Sequence, residues 1–179
     1  VEGNAAHLYF SIFDDMILTD KKHFFLKERN KRPPLDRMNA LLSFVYTLLN
    51  HEVQSALETV GLDPYVGFLH TDRPGRASLA LDMMEELRAY LADRLVLSLI
   101  NRKQISGKGF VEHGDNGIVM DEDIRKEVLL AWQKRKKETI IHPYLNESVP
   151  IGLIPYIQAM LLARFLRNDL DNYPVFLMK

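Results

Sequence analysis

The stretch GLDPYVGFLHTDRPGRASLALDMMEELR, residues 61–88, decides how the rest of the chain is organised. It contains a turn, a short apolar run that ends at His70, a loop rich in Gly, Pro and Arg, and a helix that opens at Ser78. Asp82 and Glu85 are three residues apart, so they share one face of that helix. The stretch therefore predicts that one histidine and two carboxylates meet across a basic loop.

This set of side chains fits a hard metal ion. One imidazole with carboxylate oxygens and no thiolate favours Mg²⁺ or Mn²⁺ over a structural Zn²⁺. Arg73 and Arg76 lie in the loop between His70 and the carboxylates, where they are well placed to bind phosphate. The residues alone leave two interpretations open: a metal site beside a phosphate site, or ordinary polar groups on a protein surface.

Hydrophobic periodicity predicts a mainly α fold, a helical bundle-like domain with one small β-hairpin near residues 109–120. Helices are expected at residues 2–18, 36–59, 78–102, 121–139 and 152–170. Asp36, Ser78 and Asp121 are expected N-caps, because a side-chain oxygen there accepts from an unpaired amide of the first turn. Asn116-Gly117 is the expected hairpin turn.

Charged residues outside the central stretch allow two interpretations. The basic segment 19–35 either follows a phosphate backbone or is a solvated linker, and the cations at 134–137 either bind phosphate or complement a helix dipole. Glu86 and Asp93 are expected to be ordinary surface acids of their helix, and for Asp93 the alternative is a structural pair with Arg94.

Length and composition exclude several classes of protein. A chain of 179 residues with 47% hydrophobic and 26% charged residues is an ordinary globular domain. The net charge of −1 gives no global sign of nucleic-acid binding, so DNA contacts must be local. The chain has no cysteine, which fits a reducing cytoplasm, and no apolar run long enough to cross a membrane.

Several segments resemble the integration nuclease family of CRISPR immunity, and the similarity is greatest to its subtype I-C branch. The segments are GLDPYVGFLH, SLALDMMEELR, ADRLVLSLIN, VEGNAAHLYF, NALLSFVYTLLNHEVQSALE, HPYL and PYIQAMLLARFLRNDLDNYPVF. The resemblance covers essentially the whole chain. It implies that residues 1–179 form the C-terminal catalytic domain of a longer protein, without the family's N-terminal β-sandwich domain.

The resemblance also implies a set of site residues. The family's metal ligands correspond here to Glu2, His70 and Glu85, and Asp82 matches a neighbouring acid that is a ligand or supports one. Residues expected to contact DNA are Arg73, Arg76, Lys134, Arg135, Arg164 and Arg167.

The implied function is metal-dependent DNA endonuclease and integrase activity, which inserts foreign DNA spacers into a CRISPR array by phosphodiester transesterification. The implied partners are protospacer and repeat DNA, a small ferredoxin-like second adaptation protein and a RecB-like exonuclease, with a homodimer in the full-length protein. Two alternatives stay open. One is a non-catalytic helical DNA-binding or scaffold module of the same complex, and the other is a hydrolase of small phosphate compounds.

Overall fold

The computed structural model describes residues 2–30, 32–71, 73–114 and 117–178, and the side chain of Glu2 lies outside the description. The helices are α1 Glu2–Phe13, α2 Arg37–Thr59, α3 Ser78–Leu87, α4 Arg94–Asn101, α5 Glu122–Lys137 and α6 Ile154–Leu166. The strands are β1 Phe110–His113, β2 Gly117–Met120, β3 Thr139–Ile141 and β4 Ser148–Pro150. Short 3₁₀ turns occupy Asp14–Met16 and Ile151–Leu153, and a π-helical segment, Arg88–Asp93, joins α3 to α4. The mainly α prediction is therefore confirmed.

The chain divides into two compact units. The first contains Val1–Val45 and Asp93–Trp132, and the second contains Tyr46–Ala92 and Gln133–Lys179. Each unit takes one antiparallel hairpin, because β1 pairs with β2 and β3 pairs with β4.

In the first unit, the segment 19–35 is not a solvated linker throughout. Phe24 and Leu26 are buried, and the Phe24 ring meets the Phe110 ring of β1 edge to face at 5.8 Å. The amide of Ile118 in β2 donates to the carbonyl of Pro34 at 2.8 Å. The predicted hairpin is thus held on the first unit by the segment that precedes α2. Residues 115 and 116, and hence the predicted Asn116 turn position, lie outside the described residues, while Gly117 belongs to β2.

Two of the three predicted helix caps are present. Asp36 accepts from the Asn39 amide at 2.7 Å, and Asp121 accepts from the Ile124 amide at 2.9 Å. The outer helices are shorter than predicted. α1 ends at Phe13, because the Asp14 carboxylate accepts from the Leu26 amide at 2.8 Å and the chain turns back there.

The last helix ends at Leu166 rather than at 170, since Asn168 adopts a left-handed conformation with φ 61°. In the second unit, Val149, Ile157 and Leu161 form a small apolar core between the β3–β4 hairpin and α6. This second hairpin was not predicted. Its three-residue strands are too short to show an alternating pattern.

No helix in the described part of the chain is long and apolar enough to cross a membrane.

Candidate functional site

The loop before α3 is attached to the first turn of that helix. The amides of Leu79 and Ala80 both donate to the carbonyl of Pro64, at 2.9 and 3.2 Å. The prediction that Ser78 caps α3 is wrong, because its hydroxyl donates to the Thr71 carbonyl at 3.4 Å instead. A backbone carbonyl therefore satisfies the amides that a side chain was expected to satisfy.

Asp82 anchors the loop a second time. One carboxylate oxygen accepts from the amides of Phe68 at 2.6 Å and Leu69 at 2.9 Å, and the other accepts from the His70 amide at 3.0 Å. Gly67 permits this close approach, since a Cβ there would lie 2.9 Å from the same carboxylate and 2.7 Å from the Cβ of Ser78. The loop from 67 to 70 is thus wrapped around a single carboxylate.

The same carboxylate fixes the imidazole of His70. The Nδ1 atom of His70 lies 2.5 Å from Oδ1 of Asp82. A carboxylate only accepts, so Nδ1 carries the proton and Nε2 keeps a lone pair in the neutral ring. No residue that the structure describes hydrogen-bonds to Nε2. A carboxylate behind one ring nitrogen and an open second nitrogen are typical of histidines that bind metals.

Asp82 is ionised at neutral pH. Partial burial opposes its charged form, but hydrogen bonds from the Leu69 amide, the His70 side chain and the Phe68 and His70 amides outweigh that effect. Together they hold the pKa of Asp82 below its ordinary value. Because its oxygens already accept four bonds, Asp82 fits the role of orienting His70 better than the role of a ligand.

Glu85 and Asp82 line one cavity of about 330 Å³, together with the apolar side chains of Phe68, Leu69 and Met83. The Glu85 carboxylate is bound by the guanidinium of Arg88, one turn further along the chain. It is 31% exposed, so it faces solvent as well as the arginine. Glu85 is therefore a carboxylate that a cation can reach.

Glu86 is not the solvent-facing acid that the sequence predicted. It accepts from the hydroxyl of Tyr173, from the amide of Phe176 at 2.6 Å and from the side-chain amide of Gln158 at 3.2 Å. Burial raises the pKa of Glu86, and these bonds offset the effect only in part. Burial and the neighbouring Glu86 charge likewise raise the pKa of Tyr173 far above its usual range.

Gln158 extends this network to His142 of the HPYL segment. His142 Nδ1 accepts from the amides of Tyr144 and Leu145, both at 3.3 Å, so Nε2 carries the proton and donates to Gln158 at 3.2 Å. Burial lowers the pKa of His142, and the bond to Gln158 only partly opposes that shift. The network was missed because no sequence pattern links α3, α6 and the C-terminal tail.

Asp93 was also expected at the surface and is buried. Its side chain is 1% exposed and accepts from the hydroxyl of Tyr9 at 2.7 Å within the first unit. The hydroxyl of Tyr9 thus supplies a hydrogen bond that a buried carboxylate requires.

The structure brings together only part of the predicted metal site. His70, Asp82 and Glu85 lie in the second unit, whereas Glu2 is the first residue of α1 in the first unit, and its side chain is outside the described atoms. Among the described side chains, no three His, Asp or Glu residues are grouped closely enough to hold a metal ion. Of the predicted site, the structure thus shows the contact of His70 with Asp82, and the metal-ligand roles of His70, Glu85 and Glu2 stay predictions.

The six predicted DNA contacts differ in their surroundings. Within the described residues, Arg73, Arg76, Lys134 and Arg164 form no ion pair. Arg135 binds Glu138 at 2.6 Å and lies over the Tyr90 ring, and Arg167 binds Asp169 at 3.1 Å. The first four cations are therefore the better candidates for phosphate contacts.

A family model described as "CRISPR associated protein Cas1" matches residues 1–134, three quarters of the chain. The chain belongs to the Cas1 family. This is the integration nuclease family whose motifs the sequence resembles.

Curated relatives agree with this membership. A CRISPR-associated endonuclease Cas1 from Chlorobaculum tepidum is 56% identical over 98% of this chain and 51% of its own length. The Cas1 endonuclease of Leptospira interrogans is 51% identical over 99% of this chain and 70% of its own length. A Cas4 exonuclease/Cas1 endonuclease fusion from Rhodospirillum rubrum is 38% identical over 97% of this chain and 30% of its own length. The chain thus spans about half the length of the Cas1 relative from C. tepidum.

Solved structures share the fold. A Cas1 protein from Thermotoga maritima matches 99% of this chain and 53% of its own, with a TM-score of 0.83 and 29% identity. A chain of a Cas6-RT-Cas1–Cas2 complex matches 99% of this chain and 19% of its own, with a TM-score of 0.82 and 26% identity. A casposase bound to integration product matches 98% of this chain and 51% of its own, with a TM-score of 0.86 and 23% identity, which shows the fold alone.

Proposed function

We propose that this chain is the DNA-processing domain of a Cas1 integrase, which cleaves and rejoins phosphodiester bonds with the help of Mg²⁺ or Mn²⁺. The observation that carries the proposal is the His70–Asp82 pair, in which a carboxylate held by three backbone amides orients an imidazole and leaves its Nε2 atom open. Membership of the Cas1 family supports the assignment to DNA chemistry.

Each residue has a separate role in the proposed metal site. His70 supplies a neutral nitrogen donor through Nε2, and Glu85 supplies a carboxylate, with Glu2 as the proposed third donor. Asp82 holds the His70 ring in the tautomer that binds metal. When bound, the ion would act as a Lewis acid on the scissile phosphate and stabilise the departing 3′-oxygen.

The proposed site would support two reactions, cleavage and integration. In cleavage, water attacks the phosphorus atom. In integration, the 3′-hydroxyl of a protospacer strand attacks a repeat-end phosphate, one P–O bond forms as another breaks, and the hydroxyl proton passes to the departing oxygen. Arg73 and Arg76, in the loop between His70 and α3, would hold the phosphate backbone.

The partners belong to the same proposal. Relatives named as Cas4/Cas1 fusions support an exonuclease partner of the RecB-like kind, and the Cas1–Cas2 complexes among the solved structures support a small ferredoxin-like second adaptation protein. A homodimer of the full-length protein and a subtype I-C setting stay predictions.

The test compares H70A and D82N with the unaltered chain. H70A removes a ligand and should abolish Mn²⁺-dependent DNA cleavage and integration, while its helical circular dichroism is retained. D82N replaces an acceptor-only group with one that cannot accept all four bonds, so Mn²⁺ affinity and activity should fall about 10- to 100-fold. Both are measured by calorimetric Mn²⁺ titration and by nicking of labelled DNA.

The pairing of Glu85 with Arg88 favours the alternative of a non-catalytic scaffold module. The same experiment distinguishes that alternative from the proposed nuclease. A scaffold would bind DNA equally well with or without Mn²⁺, and H70A would leave every readout unchanged. Full activity in H70A would show that the site is elsewhere.

A further inference from the structure

Arg88 forms an ion pair with Glu85 in this structure. It begins the π-helical segment Arg88–Asp93, and its Nη2 atom binds Oε1 of Glu85. Its guanidinium lies over the ring of Tyr46, with 5.1 Å from the guanidinium carbon to the ring centre. The side chain is 19% exposed, so the cation is held mostly inside the second unit.

One N–H group of the Arg88 guanidinium is left without a hydrogen bond to the described residues. Its Nε atom is buried and has no hydrogen-bond partner among the residues that the structure describes. An arginine that serves only to hold a carboxylate commonly offers two parallel N–H groups to it. A buried donor left unpaired costs free energy, so Arg88 gains less from this position than a fully paired arginine would.

We propose that Arg88 is the counter-ion of Glu85 in the metal-free protein, and that a divalent cation displaces it from that carboxylate. The inference rests on the proposed function, in which Glu85 is a metal ligand. Glu85 lines the cavity that Asp82 also lines and keeps 31% of its side chain exposed, so an ion can approach the carboxylate.

After a cation has displaced it from Glu85, the Arg88 guanidinium still has the Tyr46 ring as a partner. Its attraction to the face of Tyr46 does not depend on Glu85, because the ring quadrupole holds a cation on its own. The bond to Glu85 must nevertheless be broken when metal binds, and the remaining positive charge lies beside the ion. Arg88 therefore lowers the affinity of the site for a divalent cation, and its removal should raise that affinity.

The experiment is a Mn²⁺ titration of the full 179-residue chain, followed by calorimetry and by the electron paramagnetic resonance of free Mn²⁺. R88M removes the charge but keeps an unbranched side chain over Tyr46, and it should bind Mn²⁺ about tenfold tighter than the unaltered chain. R88K keeps a charge but loses the planar fork, and it should bind about threefold tighter. H70A, measured in parallel, should bind at least tenfold more weakly.

Arg135 provides a matched control. It binds Glu138 three residues away and lies over the ring of Tyr90 at 5.3 Å, which repeats the Arg–Glu–Tyr arrangement away from His70 in the sequence. R135M should leave Mn²⁺ affinity unchanged within about twofold. A rise in both R88M and R135M would reveal a general charge effect and overturn the specific role of Arg88.

The outcomes separate the two proposals. If H70A loses Mn²⁺ while R88M and R88K bind it no more tightly than the unaltered chain, the counter-ion role is wrong and the metal site stands. If Mn²⁺ binds equally to H70A and the unaltered chain, or to neither, the metal site itself fails and this inference fails with it. Should R88M lose its helical circular dichroism, the R88K titration decides the matter.

Discussion

The imidazole of His142 is 1% exposed and is hydrogen-bonded through both ring nitrogens. Its Nδ1 accepts from two amides, so a second proton on the ring would break those bonds. Because burial lowers the pKa of His142 in the folded chain below its ordinary value of 6.5, the unfolded chain takes up this proton first. The resulting stabilisation is complete above about pH 6.5 and is lost as the pH falls below that value.

We therefore expect the free energy of unfolding of the unaltered chain to fall more steeply between pH 7.5 and 5.0 than that of H142N. Each unit by which the folded pKa is lowered contributes about 1.4 kcal/mol to this difference. Urea unfolding at the two pH values measures it. H113Q, which alters an exposed histidine of β1, serves as the control for the substitution of a histidine as such. Equal slopes for H142N and the unaltered chain would contradict the assignment.

At the scale of single residues, the sequence predicted contacts between side chains that are near one another in the chain. Asp82 and His70 are 12 residues apart, in one loop and the helix that follows it, so a turn-then-helix pattern was enough to pair them. The partners of Glu86 lie 72, 87 and 90 residues away. Nothing in the neighbourhood of Glu86 distinguishes it from a solvent-facing acid, since only the tertiary fold brings Gln158, Tyr173 and Phe176 to it.

At the scale of elements, the C-terminal tail is held on α3 by the Tyr173 hydroxyl and the Phe176 amide, which both donate to Glu86. Phe176 is 3% exposed and packs against Tyr90 with ring centres 5.7 Å apart. The tail is therefore part of the second unit's packing.

Y173F should lower the free energy of unfolding by about 1 to 3 kcal/mol, because it leaves a buried carboxylate with one donor fewer. Y156F makes the same chemical change on α6, where the hydroxyl has no hydrogen bond to a described residue, and should change stability by less than about 0.5 kcal/mol. Chemical denaturation measures both. Equal losses in the two variants would show that the hydroxyl of Tyr173 does not hold the tail.

The range of the contacts that begin and end each helix explains why helix starts were predicted better than helix ends. Asp36 and Asp121 cap α2 and α5 through amides three residues away, so the pattern that predicts the cap also contains its partner. The end of α1 depends on the Leu26 amide, which binds Asp14 from 12 residues away. The start of α3 depends on the carbonyl of Pro64 rather than on Ser78.

At the scale of the whole molecule, the net charge of −1 means that the proposed DNA binding would depend on local cations. Under the proposed function, each phosphate contact releases counterions, so affinity falls with added salt. The double variant R73A/R76A should reduce the slope of log affinity against log salt by roughly 2 for duplex DNA. Fluorescence anisotropy of a labelled duplex between 50 and 200 mM NaCl measures the slope.

R167A is the comparison, because Arg167 is already bound to Asp169 and has less charge to offer a phosphate. Its effect on the slope should be well below 1. An unchanged slope in R73A/R76A would mean that the loop after His70 does not touch the DNA backbone.

The π-helical segment Arg88–Asp93 has a consequence for the length of the chain. Its hydrogen-bonded rings enclose one residue more than those of the flanking helices. Loss of a residue from the middle of α3 would turn the side chains that follow it in that helix by about 100° and exchange buried for exposed positions. Loss of the exposed Ala89 would instead tighten a wide turn into an ordinary one after α3 has ended at Leu87. The buried side chains of α3 should therefore keep their positions when one codon is dropped from the π-helical segment.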